Sequence, residues 1–276
     1  MAIGVRQEKK YSCGPAALKN ALAFLGRDVE EKAIRKVSGA HWVNGTAAEG
    51  ICRAAREFGL KPSQGKYRDF GLAYRALKRH IFQGHPCILC VDNWDHWIAV
   101  LDARRDSVAL LDSEYEPRAN TIKPRSLDLR WRREPFADDT DRRPQYYFIA
   151  LKPIGKPWAR RARPKFDQKT ALRIQNHAEL REYWSIYRED LEDIFGKTPS
   201  RAADAIPVHQ FIKRNKPLLI KRLAFWDGEV PVYFIKNDLR NLMAVARAYH
   251  FTVRPKQEKR ALADLLLLLF FYWLYD

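Results

Sequence analysis

The order of helical and strand-like patterns constrains the fold of this chain most strongly. Four amphipathic helix patterns precede Gly84, and apolar runs of strand length follow in "PCILCVD", "HWIAVLD", "SVALLDS" and "QYYFIAL". The residues "ARRD" between the second and third of these runs are typical of a hairpin turn. Helices first and strands afterwards predict an α+β domain with an antiparallel sheet.

The composition changes again after Leu151. Residues 152–165, "KPIGKPWARRARPK", contain three prolines and six basic residues and no acidic residue, which predicts a linker. We therefore expect a first domain at 1–151 and a mostly helical accessory domain at 166–276. The longest apolar run, Leu265 to Tyr275, has 11 residues. Since a membrane span needs about 20, we predict a buried or partner-binding helix and no transmembrane segment.

The charge of the chain bears on its partners and its location. Fifty Lys and Arg residues against 33 Asp and Glu residues give a net charge of +17. This excess favours nucleic acid, an anionic membrane surface or an acidic protein as partner, or else serves solubility. The basic residues are spread over both halves, which argues against one dedicated nucleic-acid domain. The start "MAIGVRQEKK" lacks the apolar core of a signal peptide, which predicts a cytoplasmic location.

Cys13 stands directly before the first helix pattern, "CGPAALKNALAFLG". Gly14 and Pro15 let the chain turn sharply into a helix. A helix N-terminus stabilises a thiolate through its unpaired N–H groups and its dipole. The position therefore suits a nucleophile, although a buried structural thiol fits the same pattern.

Three further residues complete a nucleophilic site. His96 opens the run "HWIAVLD", and Asp112 ends the run "VALLD". If these strands pair through the "ARRD" turn, both side chains fall near one end of a hairpin, as a base and its orienting acid require. Gln7, six residues before Cys13, offers a side-chain amide as an oxyanion donor beside the Cys13 N–H group.

A second cysteine pattern, Cys87-x-x-Cys90, lies close to His80 and His85. A zinc or redox site is one interpretation. However, no second ligand pair follows at zinc spacing, and the pair lies in an apolar strand whose alternate residues face opposite sides. We therefore predict two buried thiols, and neither a metal nor a cofactor.

The segments "Q-x5-CGPAAL", "GTAAEGICRAAREFGL", "GHPCILCVDNWDHWIAVLD" and "VALLDS" together resemble the bacteriocin-processing, double-glycine leader peptidases, a family of papain-like cysteine peptidases. The resemblance covers about residues 5–150. It implies a papain-like fold with Cys13 as nucleophile, His96 as base, Asp112 as orienting acid and Gln7 as oxyanion donor. Two positions depart from the usual family pattern: Ser12 replaces an Asp, and Ser113 replaces a Pro.

The sequence thus predicts a cysteine peptidase that hydrolyses a peptide or amide bond of a peptide or protein substrate. Cleavage after small residues such as Gly is implied by the resemblance. A papain-like transferase or deamidase would use the same residues with another acceptor. An inactive, basic binding module for nucleic acid or an acidic protein is the alternative from a different class, and its binding would weaken with salt.

Overall fold

The computed structural model describes residues 4–116, 118–135, 143–154, 168–196, 204–226 and 232–275. These residues form two compact units. The described residues up to Ser185 belong to the first unit, and those from Ile186 onward belong to the second. The boundary falls within a helix, Trp184–Phe195.

A six-stranded antiparallel sheet is the centre of the first unit. Its spatial order is β1-β6-β2-β3-β4-β5. The strands are β1 (Leu60–Tyr67), β2 (Cys87–Val91), β3 (His96–Ala103), β4 (Val108–Leu111), β5 (Ala119–Ile122) and β6 (Tyr146–Pro153). The four runs read from the sequence are β2, β3, β4 and β6, and the "ARRD" turn joins β3 to β4 as predicted.

The helices of the first unit surround this sheet. They are α1 (Cys13–Phe24), α2 (Glu31–Ser38), α3 (Ala48–Glu57), α4 (Phe70–Phe82), α5 (Pro124–Trp131), α6 (Gln168–Asn176) and α7 (Ala178–Glu182). Each of the four predicted helix patterns forms a helix, α1 to α4. The predicted α+β architecture with an antiparallel sheet is therefore confirmed.

Apolar burial fixes α1 and α4 on the sheet. Ala73 and Leu77 of α4 join a core cluster with Leu89, Ile98 and Phe148 of the strands. Helix α1 packs on β3 separately from this cluster, with Leu18 and Leu22 fully buried. Each such leucine stabilises the fold by about 2 kcal/mol. The start of α1 is thereby held close to His96, the first residue of β3.

The sequence before α3, "GTAAEG", predicts a capping box with Thr46 as N-cap and Glu49 three residues later. This prediction is wrong, because α3 begins at Ala48 after an uncapped Ala47. The carbonyl of Thr46 instead accepts a hydrogen bond of 2.9 Å from the indole of Trp97. This tertiary contact draws the chain before α3 toward β3 and displaces the local cap.

The second unit is mostly helical, as predicted. It contains the greater part of α8 (Trp184–Phe195), together with α9 (Val208–Trp226), α10 (Val232–Tyr249) and α11 (Glu258–Tyr275). Two short strands, β7 (Ile206–Pro207) and β8 (Thr252–Val253), pair antiparallel. Among the helices of the described ranges, none is long and apolar enough to cross a membrane.

The division of the chain differs from the predicted domains in two respects. Strand β6 continues to Pro153, two residues into the predicted linker, and residues 155–165 of that linker lie outside the described residues. Residues 168–185, expected in the accessory domain, group with the first unit. Two contacts join these residues to the rest of the first unit. A Cβ atom on Gly4 would lie 3.5 Å from Cγ2 of Ile174, and Oγ of Ser185 donates a hydrogen bond of 2.8 Å to the Ala23 carbonyl.

Candidate active site

Cys13 is the first residue of α1 and is only 8% exposed. The side chain of the preceding Ser12 does not cap the helix, since its Oγ lies 2.6 Å from Oε1 of the buried Glu31. The N–H groups of the first helical turn are therefore not occupied by Ser12. They give the start of α1 the partial positive charge that favours an anion there, as the sequence predicts.

Gly14 allows the chain to approach closely behind Cys13. A Cβ atom at this position would lie 2.9 Å from Cβ of Thr46 and 3.1 Å from Cδ1 of Ile51. Both contacts are shorter than normal van der Waals separations. A larger residue would therefore push α1 away from α3 and move Cys13.

His96 begins β3 and is buried between two candidate site residues. Its Nε2 lies 2.8 Å from Oδ1 of Asp112, which follows β4. The side chains of His96 and Cys13 also interact. Because Asp112 occupies Nε2, Cys13 can interact only with Nδ1, which also has Oε2 of Glu114 at 3.3 Å. The structure thus brings Cys13, His96 and Asp112 together, with His96 between the other two, as the sequence suggested.

The surroundings of His96 favour its charged form. Burial alone would lower the pKa of His96, but the hydrogen bonds to Asp112 and Cys13 and the charges of both groups raise this pKa to about 10. Burial would likewise raise the pKa of Asp112, yet its contacts with His96, the Glu114 backbone and Arg130 lower it. Both directions describe a buried ion pair between an imidazolium and a carboxylate.

Asp112 is held from several sides. Its Oδ2 accepts a hydrogen bond of 3.1 Å from Arg130, and its Oδ1 accepts the backbone N–H groups of Glu114 and Tyr115 at 3.2 and 3.3 Å. Arg130 also binds Asp92 through two hydrogen bonds of 3.0 and 2.5 Å. Two carboxylates therefore share one guanidinium, and the orientation of Asp112 is fixed.

The turn before His96 has an unusual backbone. Asp92, Asn93 and Trp94 all have positive φ values, of 53°, 58° and 71°. Three such residues in a row are costly for side chains other than glycine. The two hydrogen bonds between Asp92 and Arg130 and the backbone bond from the Asp92 N–H to the Arg130 carbonyl hold this turn. Arg130 therefore holds both the turn that precedes His96 and the carboxylate of Asp112 that binds His96.

Gln7 is tied to the loop that carries Asp112. Its backbone N–H donates to the carbonyl of Ser113 at 3.1 Å, and its Oε1 accepts the hydroxyl of Ser113 at 2.9 Å. Its Nε2 donates to the Lys10 carbonyl at 3.0 Å. Only an NH2 group can donate to a carbonyl, so these contacts fix which end of the amide faces Ser113. One of the two departures from the family pattern thus contacts a predicted site residue directly.

Sequence reasoning missed Glu114 and Arg130. Oε2 of Glu114 lies 3.3 Å from Nδ1 of His96. Strand β3 pairs with β4 so that Ala99 faces Leu111, and continuing this register places position 114 opposite His96. A β-bulge between Val100 and Asp102 sets this register, so the hairpin turn alone would not have indicated Glu114. Arg130 lies on α5, an element without a clear apolar pattern, so the sequence has no signal for it either.

The other cysteines are buried, free thiols. Cys87 is 0% exposed and Cys90 is 4% exposed, and burial raises the pKa of both. The rings of His80 and His85 lie 6.0 Å apart, and burial lowers the pKa of each. In the described part of the chain, no three His, Cys, Asp or Glu side chains are grouped so that they could hold a metal ion.

Several solved structures are similar to part of the chain. One is a double glycine motif protease from an AMS/PCAT transporter in complex with the leader peptide, with 20% identity and a TM-score of 0.42, over 56% of this chain and 93% of that one. Another is the peptidase domain of Streptococcus ComA, a bi-functional ABC transporter involved in a quorum sensing pathway, with 19% identity and a TM-score of 0.41, over 54% of this chain and 96% of that one. The peptidase domain of Streptococcus mutans ComA has 18% identity and a TM-score of 0.32, over 54% and 98%.

The comparison with curated proteins gives no match. The comparison with protein families gives a match, and it covers the region that contains Cys13, His96 and Asp112. Residues 3–132 match the sequence model described as the Peptidase C39 family. This match confirms that residues 3–132 resemble the papain-like, bacteriocin-processing cysteine peptidases, here under the description Peptidase C39 family.

Proposed function

We propose that the first unit hydrolyses a peptide or amide bond with Cys13 as nucleophile, His96 as base, Asp112 as orienting acid and Gln7 as oxyanion donor. The observation that carries the proposal is the position of His96, which interacts with Cys13 and lies 2.8 Å from Asp112. The substrate is a peptide or protein cleaved after a small residue such as Gly, in line with the family of residues 3–132.

The reaction begins with the Cys13 thiolate and the His96 imidazolium. The thiolate attacks the scissile carbonyl, a C–S bond forms, and the carbonyl oxygen becomes an oxyanion. The Cys13 N–H group and the second proton of the Gln7 amide donate to this oxyanion. His96 gives its Nδ1 proton to the leaving amine, and the C–N bond breaks. An acyl-enzyme remains on Cys13.

Water then releases the acyl group. Nδ1 of His96, now neutral, takes a proton from the attacking water, and the C–S bond breaks to return the thiolate. Asp112 stays ionised and holds the Nε2 proton throughout, so that Nδ1 always faces the reaction. Arg130 and the backbone N–H groups of Glu114 and Tyr115 stabilise that carboxylate.

Alkylation tests the thiolate–imidazolium pair directly. An ordinary cysteine is only about 0.3% thiolate at pH 6. We expect iodoacetamide at pH 6 to label Cys13 at least about tenfold faster in the wild type than in His96→Ala, because the imidazolium holds the thiolate. The measurement is the rate of carbamidomethylation of the Cys13 peptide by mass spectrometry.

Cys87 and Cys90 serve as controls within the same molecule. Their burial should leave both unlabelled in the folded wild type and in the folded variant. Labelling of these two residues would indicate unfolding of the sample. Equal labelling rates of Cys13 in wild type and His96→Ala, with both controls protected, would contradict the proposal.

Ser113 offers a test of the role of Gln7. In Ser113→Ala, Oε1 of Gln7 loses its hydroxyl donor, and the amide is no longer held with its NH2 group away from Ser113. We expect kcat for a Gly-Gly peptide to fall by about tenfold with little change in KM, because the lost interaction matters mainly in the transition state.

The Gln7→Ala variant supplies the comparison. If Ser113 acts through Gln7, adding Ser113→Ala to the Gln7→Ala variant should lower kcat almost no further. Ser107→Ala, in the turn between β3 and β4, controls for the loss of a hydroxyl elsewhere. Full additivity of Ser113→Ala and Gln7→Ala would show that the two residues act separately.

A further inference from the structure

Glu114 places a carboxylate against the reacting nitrogen of the proposed base. Its Oε2 lies 3.3 Å from Nδ1 of His96, and its side chain is 46% exposed. Asp112, two residues earlier, holds the opposite nitrogen, Nε2. His96 therefore contacts a buried carboxylate on one side and a half-exposed carboxylate on the other.

The side of His96 that Glu114 contacts is the side where the leaving group forms. In the proposed reaction Nδ1 delivers its proton to the amine of the departing fragment, because Asp112 occupies Nε2. A general acid must lie within hydrogen-bond reach of the atom that it protonates. The first residue released from the substrate thus passes close to the Glu114 carboxylate.

The neighbouring carboxylates Asp92 and Glu116 have arginine partners, and among the described residues Glu114 has none. Asp92 binds Arg130 through two hydrogen bonds, and Glu116 forms an ion pair with Arg118. Among the described residues, the side chain of Glu114 forms an ion pair with His96 alone. Glu114 is therefore the carboxylate here whose charge is least balanced by arginine.

Three carboxylates share two cations around His96. Asp112 and Glu114 both contact the imidazolium, while Arg130 is shared between Asp112 and Asp92. The exposed side of this group consequently has excess negative charge. A cation brought there by a substrate would be attracted, and an anion would be repelled.

We propose that Glu114 is a specificity-determining residue that selects substrates with a lysine or arginine side chain in the first residue after the scissile bond. This inference rests on the proposed peptidase reaction and adds a preference for the substrate residue on the leaving-group side of the scissile bond. The recognition is electrostatic, between the Glu114 carboxylate and the ammonium or guanidinium group.

Matched peptides measure the preference. Two fluorogenic peptides are identical except for Lys or Gln directly after a Gly-Gly pair, and kcat/KM is measured for both. We expect the wild type to prefer the Lys peptide by about tenfold at low salt. Glu114→Gln should reduce the preference to about onefold, while Glu116→Gln, which removes the same charge two residues away, should retain it. An unchanged preference in Glu114→Gln would overturn the inference.

A second measurement requires no turnover. Cys13 is treated with a cationic thiosulfonate, 2-aminoethyl methanethiosulfonate, and with the anionic 2-sulfonatoethyl reagent. In each case the thiolate attacks the sulfenyl sulfur, a mixed disulfide forms and methanesulfinate leaves. We expect the ratio of the cationic to the anionic rate to fall by about tenfold in Glu114→Gln. Glu116→Gln should preserve the wild-type ratio.

The two readouts separate this inference from the proposed function. A reagent ratio that falls in Glu114→Gln supports charge selection at Cys13 even if no Gly-Gly peptide is cleaved, in which case the peptidase proposal alone fails. Conversely, cleavage of the peptides with a reagent ratio equal in wild type and Glu114→Gln leaves the peptidase proposal intact and overturns the role of Glu114.

Discussion

Replacing Cys13 with alanine is expected to lower kcat for a Gly-Gly peptide by about 10⁴-fold or more, because no covalent intermediate can then form. Alanine removes only the sulfur, and the fold should tolerate it because α1 is held by buried leucines such as Leu18 and Leu22. The measurement is peptide turnover, with fragments identified by mass spectrometry. Two peptide fragments identify hydrolysis, whereas release of ammonia or formation of a new amide would identify a deamidase or a transferase.

Cys90→Ala is the matched control, since Cys90 is also a buried free thiol of the first unit. This variant should retain near-wild-type activity. His96→Ala should resemble Cys13→Ala, and the double variant should be scarcely less active than either single one, because residues that act as a unit are not additive. Residual activity of Cys13→Ala comparable to that of Cys90→Ala would exclude Cys13 as the nucleophile.

Central strands and amphipathic helices of the first unit could be predicted from the sequence, but the edges of the sheet could not. Strand β1 is one edge, and its sequence, "LKPSQGKY", is mostly polar and contains Pro62 and Gly65. Strand β5 is the other edge and is short. An edge strand has a neighbour on one side only and buries fewer side chains, so its apolar pattern is weak.

Candidate site residues were predictable where a strand or a helix begins or ends at them. Cys13 follows from the helix start after Ser12, and His96 and Asp112 follow from a hairpin whose strands begin and end there. Arg130 could not be found in this way. It reaches Asp92 and Asp112 from α5, and only the folded arrangement of three separate segments brings these side chains together.

The two departures from the family pattern have physical explanations that the sequence alone did not give. Ser12 donates to Glu31, a buried carboxylate that also accepts the Glu8 N–H group at 3.1 Å. Ser113 donates to Gln7. In both cases a hydroxyl group anchors the segment from Gln7 to Cys13, one end to α2 and the other to the loop after β4.

Replacing Asp112 with asparagine is expected to reduce kcat by about 10²–10⁴-fold, because the amide no longer stabilises the imidazolium or holds its tautomer. The same change should destabilise the fold. Asp112 is 2% exposed and links His96 to Arg130, so removal of its charge breaks a buried ion pair. We expect a loss of about 3 kcal/mol in the free energy of unfolding at pH 5.5. Asp106→Asn, in the exposed turn between β3 and β4, is the control for loss of a surface carboxylate.

The pH dependence of the stability loss in Asp112→Asn identifies the ion pair between His96 and Asp112. The pKa of His96 is raised to about 10, so its stabilising contribution is complete below its ordinary pKa of about 6.5 and disappears as the pH rises toward 10. The pKa of Asp112 is lowered, so its contribution is complete above its ordinary pKa of about 4 and disappears in acid. Urea unfolding should therefore show the largest difference between wild type and Asp112→Asn between about pH 4 and 6.5, and a smaller one at both pH 3 and pH 9.5. A difference that stays constant from pH 5.5 to 9.5 would mean that His96 is not charged by this pairing, and that the imidazolium required beside Cys13 has another origin.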